Sequence, residues 1–195
     1  MERRAFLISA GAAIGASSLL GAGCSTTTTR PDAPVDRQAK RREIESAADE
    51  TLTRLYATVR GSKELADRAR GILIFPRVLS GGLIVGGEFG DGVLRSGGRA
   101  AGYYRLAGAS LGWQIGAQSR AIVLMFLTQE SLDRFRNSSG WTIGADATVA
   151  VANVGASGEI DSNTVRQAIV AFALTNVGLY AGVKLDGSKI TRLDL

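Results

Sequence analysis

The sequence predicts an α+β domain: a compact, glycine-rich, curved antiparallel β-sheet or small barrel, with an N-terminal amphipathic helix and short helices packed on it. Three observations carry this. Between residues 36 and 61 the apolar residues recur at three- and four-residue spacing, the period of a helix with one buried face. From Gly71 onward the period shortens to the alternation of strands. The chain also holds 25 glycines in 195 residues, against a usual share of about 7%. Glycine inside a strand marks a bulge, a tight bend or a close backbone approach.

The elements follow in chain order. In "MERRAFLISAGAAIGASSLLGAGC", Arg3 and Arg4 precede a weakly apolar run from Ala5 to Ala22 that closes in small residues. That is the pattern of an export signal. The run is too short and glycine-rich for the about 20 apolar residues of a membrane span. "RRAFL" resembles the twin-arginine signal, and "LLGAGC" resembles the lipobox of bacterial lipoproteins, with Gly21 where leucine is usual and Leu20 one place early. Cys24, the single cysteine of the chain, is then the acylation site, and Ser25 resembles the pattern sorted to the outer membrane. Residues 1–23 are read as the signal, 24–36 as a lipidated tether ("STTTTRPDAPVD" is polar and Pro-containing), and 37–195 as a single domain on the periplasmic side of the envelope.

Ile44, Ala48, Leu52, Leu55 and Val59 form the apolar face of the first helix, with Asp36 to cap it and Gly61 to end it. A shorter helix spans Ser62 to Arg70, with Ser62 as its cap. "GILIFPRVLSGGLIVGGEFGDGVL" and "RAAGYYRLAGASLGWQIGAQSRAIVLMFL" are strand-rich, and Asp91-Gly92 between apolar runs predicts a hairpin turn. Leu111, Trp113, Ile115 and Ala117 alternate with small or polar neighbours. Thr128 opens a short helix that closes near Gly140. Trp141, Ile143, Ala145, Ala147 and Val149 alternate again. Residues 165–174 fit helix or strand, and Asp186-Gly187 predicts a second hairpin turn. An outer-membrane barrel is set aside because "IVLMFL" is apolar on both faces, as in a buried strand.

Composition narrows the chemistry. With no histidine and one cysteine, a Ser-His-Asp triad, a Cys-His pair and a His-ligated metal site are impossible within the chain. No catalytic residue, metal ligand or cofactor is assigned. "GVKLDGSK" misses the phosphate loop, with its lysine and hydroxyl transposed. Asp146, inside an alternating run, reads as a solvated or hydrogen-bonded strand residue. The net charge of +5 leans mildly toward anionic partners, and no basic stripe with interleaved aromatics marks a nucleic-acid binder. Arg37, Lys40, Arg41 and Arg42 are more suggestive. They crowd the first helical turns, where positive charge opposes the helix dipole, about a dozen residues from the proposed lipid anchor. Near anionic headgroups each would contribute about 1 kcal/mol. A solvated helix face is the alternative reading of the same cluster.

"RARGILIFPRVLSGGLIVGGEFGDGVL", "GWQIGAQSRAIVLMFL", "TIGADATVAVANVG" and "NVGLYAGVKLDGSKI" are similar, in that order, to the SYLF domain, also called DUF500 or the actin-binding domain of yeast actin-patch proteins. The resemblance runs from about Ala39 to the C-terminus. It implies one domain that binds membrane lipid through basic residues and an amphipathic N-terminal helix, with actin binding in some eukaryotic members. It adds Arg68, Arg70 and Arg77 to the headgroup candidates. "ANVGASGEI" departs from the eukaryotic pattern, which commonly has a Gly-Pro and an arginine there, so the fold and phospholipid affinity carry over ahead of the eukaryotic ligand. The expected function is a non-catalytic lipoprotein whose domain binds an anionic phospholipid membrane. The alternative is an adaptor holding an envelope protein partner, with lipid contact through Cys24 alone.

Overall fold

The computed structural model describes residues 36–82, 85–111, 118–152, 160–161, 163–176, 178–180 and 185–195. The expected signal, Cys24, the expected tether up to residue 35, residues 112–117 and 181–184, and most of "ANVGASGEI" lie outside them.

Helix α1 (Arg37–Thr58) starts where expected: the Asp36 carboxylate accepts from the N–H groups of Gln38 and Ala39 at 3.0 and 3.1 Å. Its buried face is Ile44, Ala48, Thr51, Leu52 and Leu55. It ends before Gly61, because Val59 is already extended at φ −121°. Gly61, at φ +78°, instead turns the chain into α2 (Ser62–Arg68). Ser62 is the first residue of α2 and not its cap; its hydroxyl donates to the Val59 carbonyl at 2.6 Å.

The strands are β1 (Gly71–Gly82), β2 (Val85–Ser96), β3 (Arg99–Leu111), β4 (Gln118–Phe126), β5 (Trp141–Thr142), β6 (Ala150–Val151), β7 (Ile169–Thr175), β8 (Gly178–Leu179) and β9 (Lys189–Leu193). They form one curled nine-stranded sheet in the order β5-β9-β3-β2-β1-β4-β7-β6, with β8 beside β7. Pairing is antiparallel except for β6 on β7, which is parallel, so the sheet is mixed where an antiparallel one was expected. Helix α3 (Gln129–Asn137) follows β4 and is capped by the Thr128 hydroxyl, which accepts from the Ser131 N–H at 3.2 Å.

Asp91 and Gly92 do not form a turn. They lie inside β2, opposite Arg77 and within the ladder to β3; the hairpin turns at Gly97-Gly98, with φ of +59° and +75°. The reason lies in β1. Pro76 has no N–H to give a central strand and is tolerated only at a bulge, and the register of β1 slips there against both β2 and β4. A Cβ on Gly92 would stand 2.3 Å from the Ile74 carbonyl oxygen, so this glycine admits the bulged backbone. Asp186-Gly187 does turn, with Gly187 at φ +87°. Residues 165–174 resolve into a short 3-10 turn (Thr164–Arg166) followed by β7. Asp146 is a turn residue: its carboxylate accepts from the Thr142 N–H at 2.6 Å.

The sheet buries both faces. On the inner face Tyr104, Phe126, Phe135 and Trp141 cluster, with Phe135 4.8 Å from Tyr104 and 5.4 Å from Trp141 between ring centres. On the outer face α1 and α2 lie over Ile74, Val93, Val123, Met125 and Phe172. Residues of β4 from Ala121 to Phe126 are all at most 1% exposed, which is why that run carries no polar alternation.

Candidate functional site

The expected cations fall into separate places. Arg37, Arg41 and Arg42 are exposed on the first turns of α1, and Lys40 among them is half-buried. Lys40 donates to Glu43 at 3.1 Å, and the Arg41 guanidinium sits 5.5 Å from the Tyr103 ring centre. Arg68 ends α2, and Arg70, between α2 and β1, donates its N–H to the Phe126 carbonyl of β4 at 2.8 Å. Arg77 stands seven residues along the chain from Arg70, just past the Pro76 bulge on the outer face of β1. That is about 20 Å of extended strand. Thus Lys40 and Arg77 border the same cleft, while Arg68 and Arg70 lie at the start of β1.

What joins Lys40 to Arg77 is a cleft of about 770 Å³ between α1 and the outer face of the sheet. Its helix wall includes Ile44, Ala47 and Thr51, and its sheet floor includes Leu79, Phe89 and Leu174. Leu79 and Phe89 are register partners across β1 and β2 and are 49% and 45% exposed. Arg105 lies over the Phe89 ring at 4.6 Å and binds the Asp91 carboxylate at 2.8 and 3.3 Å. Arg54, from the last turns of α1, also lines the cleft.

The apolar face of α1 is not free. Besides its packing on the sheet, it is tied by polar contacts: Arg95 binds the Asp49 carboxylate and donates to the Glu45 carbonyl at 3.2 Å, and the Tyr103 hydroxyl donates to the Glu45 carboxylate. Burial, and then the bond to Glu45, pushes the Tyr103 hydroxyl up to about 12. The hydrogen bond from Arg95 holds Asp49 below its ordinary value.

On the inner face a buried polar cluster occupies the far end of the sheet. Glu88, 5% exposed, accepts from the Ser188 hydroxyl at 2.6 Å and pairs with Arg120. Gly108, opposite Glu88 in register, makes room for it, since a Cβ there would lie 2.9 Å from the Glu88 carboxylate. Sequence reading missed Leu79, Phe89, Arg54, Arg105 and the Glu88–Arg120 pair. For Phe89, Asp91 and Arg105 the signal was present: strand alternation places Phe89 and Asp91 on one face. The turn assigned to Asp91-Gly92 hid it. Nothing local announces that Glu88 and Ser188, distant in sequence, meet.

Among the described residues no group of three or more His, Cys, Asp or Glu is placed to hold a metal ion. No helix among them is long and apolar enough to cross a membrane. What the arrangement offers is recognition: fixed cations beside an open, partly apolar cleft.

Residues 107–194 match the family model described as "Ysc84: Las17-binding protein actin regulator". The chain is similar to LAS seventeen-binding protein 3 of Saccharomyces cerevisiae, 29% identical over 134 residues, covering 65% of this chain and 29% of that protein. It is similar to SH3 domain-containing YSC84-like protein 1 of Xenopus laevis, 29% identical over 126 residues, covering 62% of this chain and 37% of the relative. Protein YSC84 of S. cerevisiae is 30% identical over 130 residues, covering 63% of this chain and 28% of the yeast protein. The matched region thus spans under two-fifths of the length of each of these relatives.

Proposed function

Because the chain belongs to the SYLF-domain (Ysc84) family, we propose that it is a non-catalytic membrane-binding module whose domain, residues 37–195, contacts anionic phospholipid. In this reading an acylated Cys24 holds it to the periplasmic side of the envelope, at the outer membrane. The observation that carries the proposal is the division of labour on α1. Its apolar side is committed to the sheet, while Arg37, Arg41 and Arg42 stay exposed on its first turns, Arg41 against the Tyr103 ring. Contact with a bilayer would then be electrostatic, with headgroup phosphates at these cations and at Arg77, and not insertion of α1. Each cation held at an anionic surface adds about 1 kcal/mol, an attraction that salt screens within about 10 Å at 0.1 M.

The test is co-sedimentation of the full-length Cys24→Ser chain with phosphatidylcholine vesicles and with vesicles rich in phosphatidylglycerol, at low and moderate salt. Binding should require phosphatidylglycerol and weaken with salt. It should fall at least about tenfold in Arg37/Lys40/Arg41/Arg42→Ala, since even half of four such contributions exceeds the 1.4 kcal/mol of a tenfold change. Absence of binding under every condition would sink the reading. It would favour the second one, an adaptor for a protein partner, for which the support is that relatives are named for binding another protein.

A further inference from the structure

With the apolar side of α1 packed on the sheet, the place for a lipid chain must be sought elsewhere. We propose that the cleft between α1 and the outer face of the sheet takes one acyl chain of a singly charged anionic amphiphile, with Arg77 holding the charged head. The inference rests on the anionic-lipid reading and narrows it to a ligand class.

The cavity, about 770 Å³, lies within the roughly 300–1,000 Å³ of small-ligand sites. Its interior is apolar where α1 meets the sheet: Ile44, Ala121 and Leu174 line it and are at most 4% exposed. Its mouth is apolar as well, because Leu79 and Phe89 face each other across the β1–β2 ladder and remain about half exposed. A methylene chain entering over these two side chains can follow an apolar strip to Ile44, Ala121 and Leu174, flanked by the polar side chains that also line the cleft. An exposed large apolar pair on a shared face is the informative kind of exposure.

The charges around the cleft select the head. Lys40 is engaged by Glu43. Arg54 stands one helical turn from Glu50, which also lines the cleft. Asp91, opposite Arg77 in register, turns its carboxylate to Arg105 instead. Arg54 and Arg77 both stand without an ion-pair partner among the described residues, but the carboxylate nearest Arg77 in register is taken up by Arg105, whereas Glu50 remains beside Arg54 in the cleft wall. With the Glu50 charge set against Arg54, the one positive charge left over among the described residues of the cleft is that of Arg77, which matches one negative charge, a carboxylate or a phosphodiester. A head carrying several phosphates would meet Glu43 and Glu50 as well.

The experiment is calorimetric titration of the full-length Cys24→Ser chain with monomeric dodecanoate and with myristoyl lysophosphatidylglycerol, each below its aggregation threshold. Dodecyltrimethylammonium provides the same apolar chain with the opposite charge. Saturable one-to-one binding of either anion is expected, with the tighter of the two identifying the head, and about tenfold weaker binding of the cation. Ala47→Phe fills the cleft from the helix side, Phe89→Ser removes the mouth and Arg77→Ala the charge; each should weaken anion binding about tenfold. If Ala47→Phe does not fold by circular dichroism, Phe89→Ser, at an exposed position, decides alone. Binding of neither anion, equal affinity for the cation, or unchanged affinity in Phe89→Ser would overturn the assignment. Vesicle binding read on the same variants separates the two proposals. A chain that binds dodecanoate but ignores anionic vesicles keeps its cleft and loses the membrane reading. Variants that lose dodecanoate yet still sediment with vesicles support both.

Discussion

The four long strands are built differently on the two sides of Pro76. On the near side, Leu73, Ile74 and Phe75 of β1, Val93 and Leu94 of β2, and residues 121–126 of β4 are at most 1% exposed, covered by α1 on one face and by the aromatic cluster around α3 on the other. On the far side the same strands carry Arg77, Leu79, Phe89 and Arg105 on an open outer face, and a buried ion pair on the inner one. One ladder thus serves as both scaffold and reading surface. Continuous apolar runs mark the part that holds the fold together, and alternating charged and apolar residues mark the part left available.

The largest test of this division exchanges like for like. Phe126→Ala in the near half should cost about 3–5 kcal/mol in urea unfolding, whereas Phe89→Ala in the far half should stay within about 0.5 kcal/mol. Similar costs at the two positions would abolish the distinction. Glycines sharpen it at a smaller scale. Gly92→Ala drives a methyl against the Ile74 carbonyl and the Phe75 ring and should cost about 1–3 kcal/mol. Gly87→Ala, whose nearest neighbour would be 3.9 Å away, should leave the midpoint within about 0.5 kcal/mol of its starting stability.

The smallest effects concern the polar ties that hold α1 over the near half, and they are read from pH. Tyr103, raised from 10.0 to about 12 by burial and then by Glu45, keeps its proton longer in the folded chain. Its stabilisation is whole below pH 10.0 and is lost as pH rises through about 12. Tyr103→Phe should flatten that alkaline limb. Asp49, lowered from 3.8 chiefly by the hydrogen bond from Arg95, works the other way. Its stabilisation is present above pH 3.8 and disappears as pH falls through the lowered value. Asp49→Asn should remove that part of the acid loss, a modest one because the carboxylate is largely exposed. Stability measured across both limbs checks the pair together.

Much of the fold is legible in the sequence where local rules act alone. Asp36 and Thr128 cap the helices they were expected to cap, and the apolar spacing of Ile44, Ala48, Leu52 and Leu55 is the buried face of α1. The reading slipped where a distant contact overrides a local preference. Asp91-Gly92 looks like a turn, yet Gly92 is a glycine because a bulge from another strand presses on it. Gly61 looks like a helix stop, yet the helix has ended by Thr58. Of the residues named from sequence, Lys40 and Arg77 line one cleft. The cleft that joins them is invisible in one dimension, because it depends on where α1 crosses the sheet. Leu79 and Phe89 acquire meaning only as partners in register.

The proline at the centre of β1 has one more consequence. The ladder of β1 to β2 skips between Ile74 and Arg77 and that to β4 between Phe75 and Val78, so Pro76 is the residue that neither flanking strand pairs. A sheet interrupted there need not open as one cooperative unit. The far half of the strands can loosen around an incoming molecule while the near half, clamped on both faces, keeps its amides shut away from solvent. Adaptability in one part and permanence in the other then come from a single residue that lacks a hydrogen to donate.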